Sequence, residues 1–315
     1  MILIITNKED YTADYLILEL QRRGVKYWRF NTEDFPNEIQ IDIGINDNLS
    51  SGKFFSPKGE FYFSSISSIW YRRPKKPAIS RNVTKKSQEF ISVESKEYLN
   101  GIWEILLPKF WVSHPNNIYR AENKIFQLNF AHRLGFVIPP TIISNNSIIT
   151  EAFLNAHKKA IFKPLGYSRF IENHEEKLIF TNPISNKHKK DIDLINICPS
   201  LIQKQITKVF DVRVTIIGRA VFAVKIISKG HFIDWRKEND SNIRYEKYKL
   251  PRKLEVLCLQ MTDMLGLQFN TLDFVISEDG EHYFLEINPN GQWAWLQQFC
   301  PDLPLRESLA ELLSI

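Results

Sequence analysis

The sequence predicts a mixed α/β fold, and three features of the chain support this prediction. An apolar strand at residues 1–6, a helix from Tyr11 to Arg23 and a strand at residues 25–30 follow one another in the order of a βαβ unit. Short strands and helices continue to alternate through the rest of the chain. Near the carboxyl end, a turn at residues 277–281 with Asp-Gly at its tip separates two apolar strands and indicates an antiparallel hairpin.

Residues 1–114 are predicted to form an N-terminal domain around the βαβ unit. Gly24 ends the helix of this unit, and no GxGxxG motif follows its first strand, so the sequence does not favour a dinucleotide site. The rest of the domain is predicted as strands at 39–45, 53–55, 61–63 and 66–71 and a helix at 87–107. Pro108 and the aromatic pair Phe110-Trp111 mark its end.

Residues 115–198 are predicted to form a small central α+β domain, and residues 199–315 a C-terminal domain. The central elements are helices at 118–134 and 147–157 and strands at 141–144, 159–164 and 177–181. The C-terminal elements are strands at 201–206, 209–217 and 219–227, a helix at 250–265, the hairpin and a closing helix at 305–314.

Composition indicates a globular protein without a membrane span. No apolar run approaches the length that a bilayer requires, and the apolar start of the chain has no basic lead of the signal-peptide kind. The three cysteines are far apart in the chain, which excludes a CxxC zinc site and favours a reducing compartment. The sequence therefore predicts a cytoplasmic protein with cysteines that pack in its core.

The formal net charge of +5 is concentrated in two basic runs, residues 72–77 and residues 187–190. Such runs are usually solvated loops. A functional reading is attraction of an acidic partner, because clustered charges of one sign raise the local concentration of the opposite sign. The chain has no motif of a nucleic-acid-binding domain, so an acidic peptide is favoured over nucleic acid.

Asp273 and Glu286 lie on the two strands of the C-terminal hairpin, and Asn288 follows two residues after Glu286. Residues two apart on a strand share a face, so Glu286 and Asn288 are expected to point the same way. Carboxylate and amide oxygens are the ligands that Mg²⁺ prefers, which predicts a magnesium site for a nucleotide triphosphate. The alternative is an ordinary hairpin whose polar side chains face water.

Four cationic side chains are candidates for contacts with phosphate. Lys163 ends an apolar strand beside a loop that contains Gly166, and Lys124 lies in a predicted helix. Arg213 and Lys225 lie on a hairpin about Gly218 and are expected to project to one side. Taken alone, Lys163 and Lys124 are more typical of ordinary solvent-facing lysines, and Arg213 and Lys225 are equally consistent with a cross-strand cationic pair.

The order of these features along the chain resembles that of the ATP-grasp superfamily from about residue 115 onwards. A lysine in a helix, a lysine at a strand end, an apolar strand at 201–206, an arginine hairpin and the Asp-x12-Glu-x-Asn pattern follow one another. Four motifs are similar to those of the ATP-grasp ligases that macrocyclise ribosomal peptides, the microviridin or graspetide maturases. They are the segments at 69–74, 211–215, 232–236 and 286–295. The first of these extends the resemblance into the N-terminal domain.

The resemblance implies a role for each candidate residue. The ATP site is implied to include Lys124, Lys163, Ser168 and Asp211, and adenine is implied to contact the main chain of Gln203, Lys204, Gln205 and Ile206. Arg213 and Lys225 are implied to face the transferring phosphoryl group. Mg²⁺ is implied to be held by Asp273, Glu286 and Asn288. Residues Lys204 and Gln205 depart from the family pattern, in which an acidic residue precedes an aromatic one.

Asp234 and Arg236 are predicted to share one face of a strand beside the acceptor. An arginine can bind a substrate carboxylate through two hydrogen bonds, and an aspartate can accept a proton from a hydroxyl or ammonium group. The other reading is a surface ion pair of little energetic value.

The resemblance implies a fold with an N-terminal pre-ATP-grasp domain and an enzyme that uses ATP and Mg²⁺ to form ester or amide cross-links in a precursor peptide. It implies a helical leader that docks on the central domain, and the basic runs suit an acidic core. A ligase that adds amino acids, such as glutamate, to a protein or peptide terminus is the first alternative, and an inactive ATP-binding module is the second. A homodimer or higher homo-oligomer is expected, without nucleic-acid or membrane partners.

Overall fold

A computed structural model describes residues 1–45, 52–80, 82–166, 169–172, 175–178, 181–230, 233–238 and 240–315. The described strands form three larger sheets that follow one another along the chain, together with two smaller ones. This architecture confirms the predicted mixed α/β fold. None of the helices in these ranges combines the length and apolar content that crossing a bilayer requires.

The N-terminal sheet is parallel and has the strand order β2-β1-β6-β7. It consists of β1 (Ile2–Thr6), β2 (Tyr27–Asn31), β6 (Ser68–Tyr71) and β7 (Phe110–Val112), and helix α1 (Tyr11–Arg22) connects β1 to β2. All five residues of β1 are buried, as expected for a strand with both faces covered. The predicted βαβ unit is therefore confirmed. The aromatic pair Phe110-Trp111, predicted to mark the end of the domain, instead belongs to the three-residue strand β7.

A three-stranded antiparallel sheet and a long helix complete this region. They are β3 (Gln40–Asp42), β4 (Lys53–Ser56), β5 (Gly59–Tyr62) and α2 (Lys85–Ile105). The tryptophans of the N-terminal half, Trp28, Trp70, Trp103 and Trp111, are at most 7% exposed. They are core residues and offer no surface for the expected homodimer.

The predicted helix at 118–134 is two helices, α3 (Pro115–Glu122) and α4 (Lys124–Leu134). Asn123 between them has extended backbone, and its side-chain oxygen accepts a hydrogen bond of 2.9 Å from the backbone N–H of Phe126. Helical periodicity continues across this capped break, which is why the sequence pattern did not reveal it. As a result, Lys124 lies at the first turn of α4, which packs on the C-terminal sheet.

The middle sheet is antiparallel and has the strand order β12-β9-β13-β8. Its strands are β8 (Thr141–Ser144), β9 (Ala160–Lys163), β12 (Asn182–Pro183) and β13 (Ser200–Lys204), and the other elements of this region are α5 (Ser147–Ala156), α6 (Asn186–Lys190) and the hairpin of β10 (Arg169–Glu172) with β11 (Glu175–Leu178). Strand β13 lies inside this sheet, although the predicted boundary at 198/199 assigned it to the C-terminal domain.

The C-terminal sheet is antiparallel and has the order β16-β15-β14-β17-β18. Its strands are β14 (Lys208–Ile217), β15 (Ala220–Ser228), β16 (Ile243–Lys247), β17 (Phe269–Ser277) and β18 (His282–Asn288), and its helices are α7 (Arg252–Met264), α8 (Ala294–Phe299) and α9 (Leu305–Leu313). The predicted hairpin is confirmed. Strand β16 and helix α8 were not predicted.

Arg72, from a basic run predicted to be a solvated loop, is fully buried. Its guanidinium donates to the main-chain oxygens of Asn290 and Gly291 and, at 2.7 Å, to the Gln292 side chain. Burial lowers the pKa of Arg72 to about 9, so it remains charged at neutral pH. The N-terminal sheet is thus bonded to the loop that follows β18, and the solvated-loop prediction is wrong for this residue.

Glu19 connects helix α1, near the amino end of the chain, with helix α9, near the carboxyl end. Its carboxylate is 1% exposed and accepts hydrogen bonds of 2.6 Å from Arg22 and Arg23 of its own helix, and Arg306 of α9 approaches to 3.8 Å. The hydrogen bond from Arg22 and the surrounding positive charge lower the pKa of Glu19 to about 2.

We predict that Glu19→Gln reduces the acid sensitivity of the fold. Because the folded-state pKa lies below the unfolded value, ionised Glu19 stabilises the protein above about pH 4.3, and this stabilisation is lost as the pH falls toward 2. Urea unfolding of the wild type and the variant between pH 6 and about 2.5 tests this. The free energies should converge at low pH. The exposed control Glu278→Gln should give a curve of unfolding free energy against pH that runs parallel to that of the wild type. A parallel curve for Glu19→Gln would contradict the role of Glu19.

Candidate active site

A cavity of about 490 Å³ opens between the middle sheet and the C-terminal sheet. Strand β9 contributes Lys163, helix α4 contributes Lys124, and the C-terminal sheet contributes Asp273, Glu286 and Asn288. The cavity therefore brings together predicted phosphate and metal residues that lie up to 164 positions apart in the chain, from Lys124 to Asn288.

The register of β17 and β18 places the predicted metal ligands on one face. Asp273 lies directly opposite Glu286, and Thr271 lies opposite Asn288. Between Asp273 and Phe274 the register shifts, so that Leu285 is an extra residue on β18. Because of this bulge, Phe284 turns into the core while Glu286 turns toward the cavity. A regular strand would have given both residues the same face.

Each of the two carboxylates is paired with a cation. Arg213 binds Asp273 through two hydrogen bonds of 2.8 Å, and Lys124 forms an ion pair with Glu286. Burial opposes ionisation of Glu286, but the positive charges of Lys124, Arg236 and Lys163 outweigh it and lower its pKa to about 2. Glu286 is thus held as an anionic oxygen donor, and the Asp273 carboxylate is held in place by Arg213.

This donor set fits Mg²⁺. Like charges directly opposite on neighbouring strands repel one another, so the pair needs positive charge between or beside the carboxylates. The amide of Asn288 is held in place because its oxygen accepts a 3.0 Å hydrogen bond from the backbone N–H of Asn290. Two carboxylates and one amide oxygen leave positions for water and phosphate in an octahedral shell.

Lys163 is oriented by a buried glutamine. Its ammonium donates to Gln203 at 2.9 Å, and the Gln203 amide donates in turn to the Thr141 hydroxyl at 2.8 Å. Burial lowers the pKa of Lys163 to about 8, with the neighbouring Lys124 acting in the same direction. An anion in the cavity would remove this penalty, which suits a lysine that binds phosphate.

Only part of the predicted adenine hinge reaches the cavity. Gln205 and Ile206 line it, whereas Gln203 and Lys204 do not. The backbone N–H groups of Lys204 and Gln205 already donate to the carbonyls of Pro140 and Lys159. These N–H groups are occupied because β13 is an interior strand with a neighbour on each side. The local sequence pattern does not reveal the position of a strand within its sheet.

Arg213 and Lys225 do not project to the same side as expected. Arg213 lies opposite Val224, and Lys225 lies opposite Val212, so the two cations occupy opposite faces of the sheet. Lys225 instead lies over the ring of Phe210 at 4.3 Å and near Glu246. The predicted position of Lys225 beside the phosphoryl group is therefore wrong.

Asp234 and Arg236 line the cavity, but they do not lie on a strand. Residues Trp235–Lys237 form a single 3₁₀ turn that Asp234 caps. Arg236 donates two hydrogen bonds of 2.8 Å to Asp234, which is buried, while the arginine side chain is 49% exposed. The pair is thus an ion pair within the cavity wall. Phe232 of the same motif lies outside the described residues, as does Ser168.

Lys208 and Arg73 were not predicted, although both line the cavity. Lys208 donates to Asp211 at 2.5 Å, and burial raises the pKa of Asp211 to about 6. The prediction of Asp211 at the nucleotide site is consistent with its place in the cavity wall. Arg73 has a left-handed backbone with φ of 47°, which is uncommon for residues other than glycine. The only sequence feature that pointed to Arg73 was its place in the basic run at residues 72–77.

Residues 1–119 match the family model of the MvdD pre-ATP grasp domain. Among curated proteins, the chain is similar to the tetrahydromethanopterin:alpha-L-glutamate ligase of Methanocaldococcus jannaschii. The two are 24% identical over 213 residues, which cover 66% of this chain and 70% of the relative.

Two solved structures are similar over almost the entire chain. One is the Chryseobacterium gregarium ATP-grasp ligase associated with ribosomally made, modified peptides, in complex with ADP and a leader and core peptide. It is 27% identical, with coverage of 99% and 96% of the two chains and a TM-score of 0.91. The other is the macrocyclase MdnC of Microcystis aeruginosa MRC, bound with precursor peptide MdnA. It is 26% identical, with coverage of 99% and 98% and a TM-score of 0.88.

We predict that the affinity for ADP falls between pH 7 and pH 9 because Lys163, with its lowered pKa of about 8, loses its proton in this range. Lys163→Arg keeps the positive charge over the whole range and should weaken the pH dependence several-fold. Calorimetric titration with ADP and magnesium measures both proteins. Equal pH profiles for the two would contradict a phosphate contact by Lys163.

Proposed function

We propose that this protein, an ATP-grasp ligase, macrocyclises a ribosomally made precursor peptide by joining side-chain carboxylates to side-chain hydroxyls or amines. Its membership of the ATP-grasp ligases follows from the fold, the N-terminal pre-ATP-grasp domain and the similarity to ligases of this kind over nearly its full length. One observation carries the proposal: a single cavity is lined by the predicted metal-binding residues Asp273, Glu286 and Asn288, by the predicted phosphate-binding lysines and by the Asp234–Arg236 pair.

The nucleotide is proposed to lie between the two sheets that enclose the cavity. Lys124 and Lys163 bind its phosphates, and Gln205 and Ile206 contact adenine. Asp273, Glu286 and Asn288 hold Mg²⁺, which offsets negative charge on the phosphates when bound. A cation bound at Glu286 would neutralise this carboxylate in place of Lys124, which would leave the Lys124 ammonium for the phosphates.

In the first step, a side-chain carboxylate of the peptide attacks the γ-phosphorus of ATP. A bond between the carboxylate oxygen and phosphorus forms, the bond to the β-phosphate oxygen breaks, and ADP leaves. Arg236 is exposed enough to bind the incoming carboxylate, and Arg213 supplies positive charge close to the metal ligands. These cations reduce the repulsion between two anionic reactants.

In the second step, a hydroxyl or amine of the same peptide attacks the acyl carbon, and inorganic phosphate leaves. Burial opposes the charge of Asp234, but hydrogen bonds from Arg236 lower its pKa, so it is a carboxylate at neutral pH. It can therefore accept the proton that the nucleophile loses. The enclosing sheets limit access of water, which would otherwise hydrolyse the acyl phosphate.

A second candidate is the addition of an amino acid such as glutamate to a peptide or small molecule. The similarity to a glutamate ligase favours it, and it would use the same nucleotide residues. The two reactions differ in mass change, because ring closure removes one water per link whereas addition of a residue increases the mass.

The proposed partner is a precursor peptide with a helical leader that docks on the middle domain and a core rich in acidic residues. Such a peptide and ATP are both present in the cytoplasm, which we propose as the location of the enzyme. We also propose that this protein forms a homodimer.

We predict that incubation with ATP, Mg²⁺ and the precursor peptide encoded beside the gene lowers the peptide mass by one water per link. Mass spectrometry of the peptide, together with ADP release, measures this. Glu286→Gln is the matched control, since loss of a metal-binding carboxylate should abolish turnover without unfolding the chain. An increase in mass would favour residue addition, and an unchanged peptide mass with the wild type would contradict macrocyclisation.

We predict that Arg236→Ala slows cross-linking by about 10²-fold while ADP affinity changes little. The reason is that Arg236 is proposed to bind the substrate carboxylate, whereas Lys124 and Lys163 are proposed to bind the phosphates. Arg236→Lys, which keeps the charge but loses the two-pronged geometry, should have an intermediate rate. Cross-linking rates and calorimetric ADP titration measure these effects, and an unchanged rate would reduce the Asp234–Arg236 pair to a structural ion pair.

A further inference from the structure

A second cavity of about 570 Å³ lies beside the first, between helix α1 and the segment at 292–298. Helix α1 contributes Tyr11, Tyr15 and Leu18, and the other wall contributes Trp295 and the Gln298 amide. The proposed chemistry does not use any of these side chains.

The wall formed by α1 has an unusual surface. Tyr11, Tyr15 and Leu18 are spaced at i, i+4 and i+7, so they lie along one face of the helix. Tyr11 is 82% exposed and Leu18 is 58% exposed. Large apolar side chains that line a cavity together on a folded surface mark an interaction site more often than isolated exposed ones do.

The second cavity adjoins the first one. Arg73 lines both cavities. Trp295 of the second cavity contacts Trp235 of the first, with ring centroids 5.4 Å apart. Arg213, the partner of the metal ligand Asp273, lies over both indole rings at 5.9 and 5.7 Å. An occupant of the second cavity therefore lies beside the groups that act on the phosphoryl donor.

The chemistry of the second cavity differs from that of the first. Its acidic residues are already paired: Glu9 with Lys75, Asp10 with Arg72, and Asp14 with Arg29. Arg73, the cation in its wall, donates to the main-chain oxygen of Asn290. What remains is aromatic surface with side-chain amides, which suits an uncharged peptide segment through stacking and hydrogen bonds to its main chain. The first cavity, which contains Lys124, Lys163 and Arg236, suits carboxylates instead.

We propose that this second cavity binds the segment of the core peptide that carries the acceptor hydroxyl or amine. The inference rests on the proposed macrocyclisation, in which one peptide must present a carboxylate and a nucleophile at the same time. Two adjacent cavities of different chemistry separate the two partners and fix which side chain is activated.

A photocrosslinking experiment on the full chain tests the proposal. Tyr11 is replaced by p-benzoylphenylalanine, and the precursor peptide encoded beside the gene is added with ADP and Mg²⁺. Irradiation should link position 11 to the core, identified by mass spectrometry of the digest. The same probe at Phe90, which is 67% exposed on α2, is the matched control and should not link to the core. Crosslinks from position 11 to the leader or to a second copy of the chain would overturn the proposal.

Kinetics separate this inference from the proposed function. Tyr11→Ala and Leu18→Ala together should raise KM for the precursor peptide about fivefold or more, while ADP affinity stays as in the wild type. Phe90→Ala should change neither quantity. If the wild type cross-links the peptide and the double variant has an unchanged KM, only the acceptor site is wrong. If the wild type does not cross-link the peptide, the proposed function fails and this inference fails with it.

Discussion

Two carboxylates that lie directly opposite one another on neighbouring strands are the constraint on which the rest of this site depends. Asp273 and Glu286 repel each other at this spacing, and their partial burial increases the cost of their charge. Arg213 and Lys124 offset that cost from two different parts of the fold. Such a pair is a poor stabilising element by itself, but it is a suitable holder for a divalent cation between anionic phosphates.

The N-terminal domain supports this arrangement from a distance. Buried Arg72 is bonded to the loop that begins directly after Asn288, and a Cβ on Gly291 of that loop would lie 2.1 Å from the Thr271 hydroxyl. The loop is therefore held closely against β17 on one side and against the N-terminal sheet on the other. The position of Asn288 therefore depends on how the N-terminal domain holds this loop.

Much of the fold and of the site could be predicted because the signals are local. The βαβ start, the C-terminal hairpin and the shared face of Glu286 and Asn288 follow from alternation and turn residues over short stretches. Helix α4 and strand β16 show where this reasoning fails. A capped break does not interrupt helical periodicity, and a five-residue strand at a sheet edge is too short for its alternation to be distinguished from that of a loop.

The residue types available to the site and their order along the chain could be read from the sequence: two lysines, an arginine hairpin, an Asp–Arg pair and three oxygen donors. Which of them come into contact depends on the three-dimensional fold. Lys225 lies on the far face because pairing of β14 with β15 sets its side, and Gln203 supports Lys163 because β13 lies inside its sheet. The physical reason is that strand register and sheet order depend on contacts between distant segments, whereas residue patterns report only the preferences of neighbouring residues.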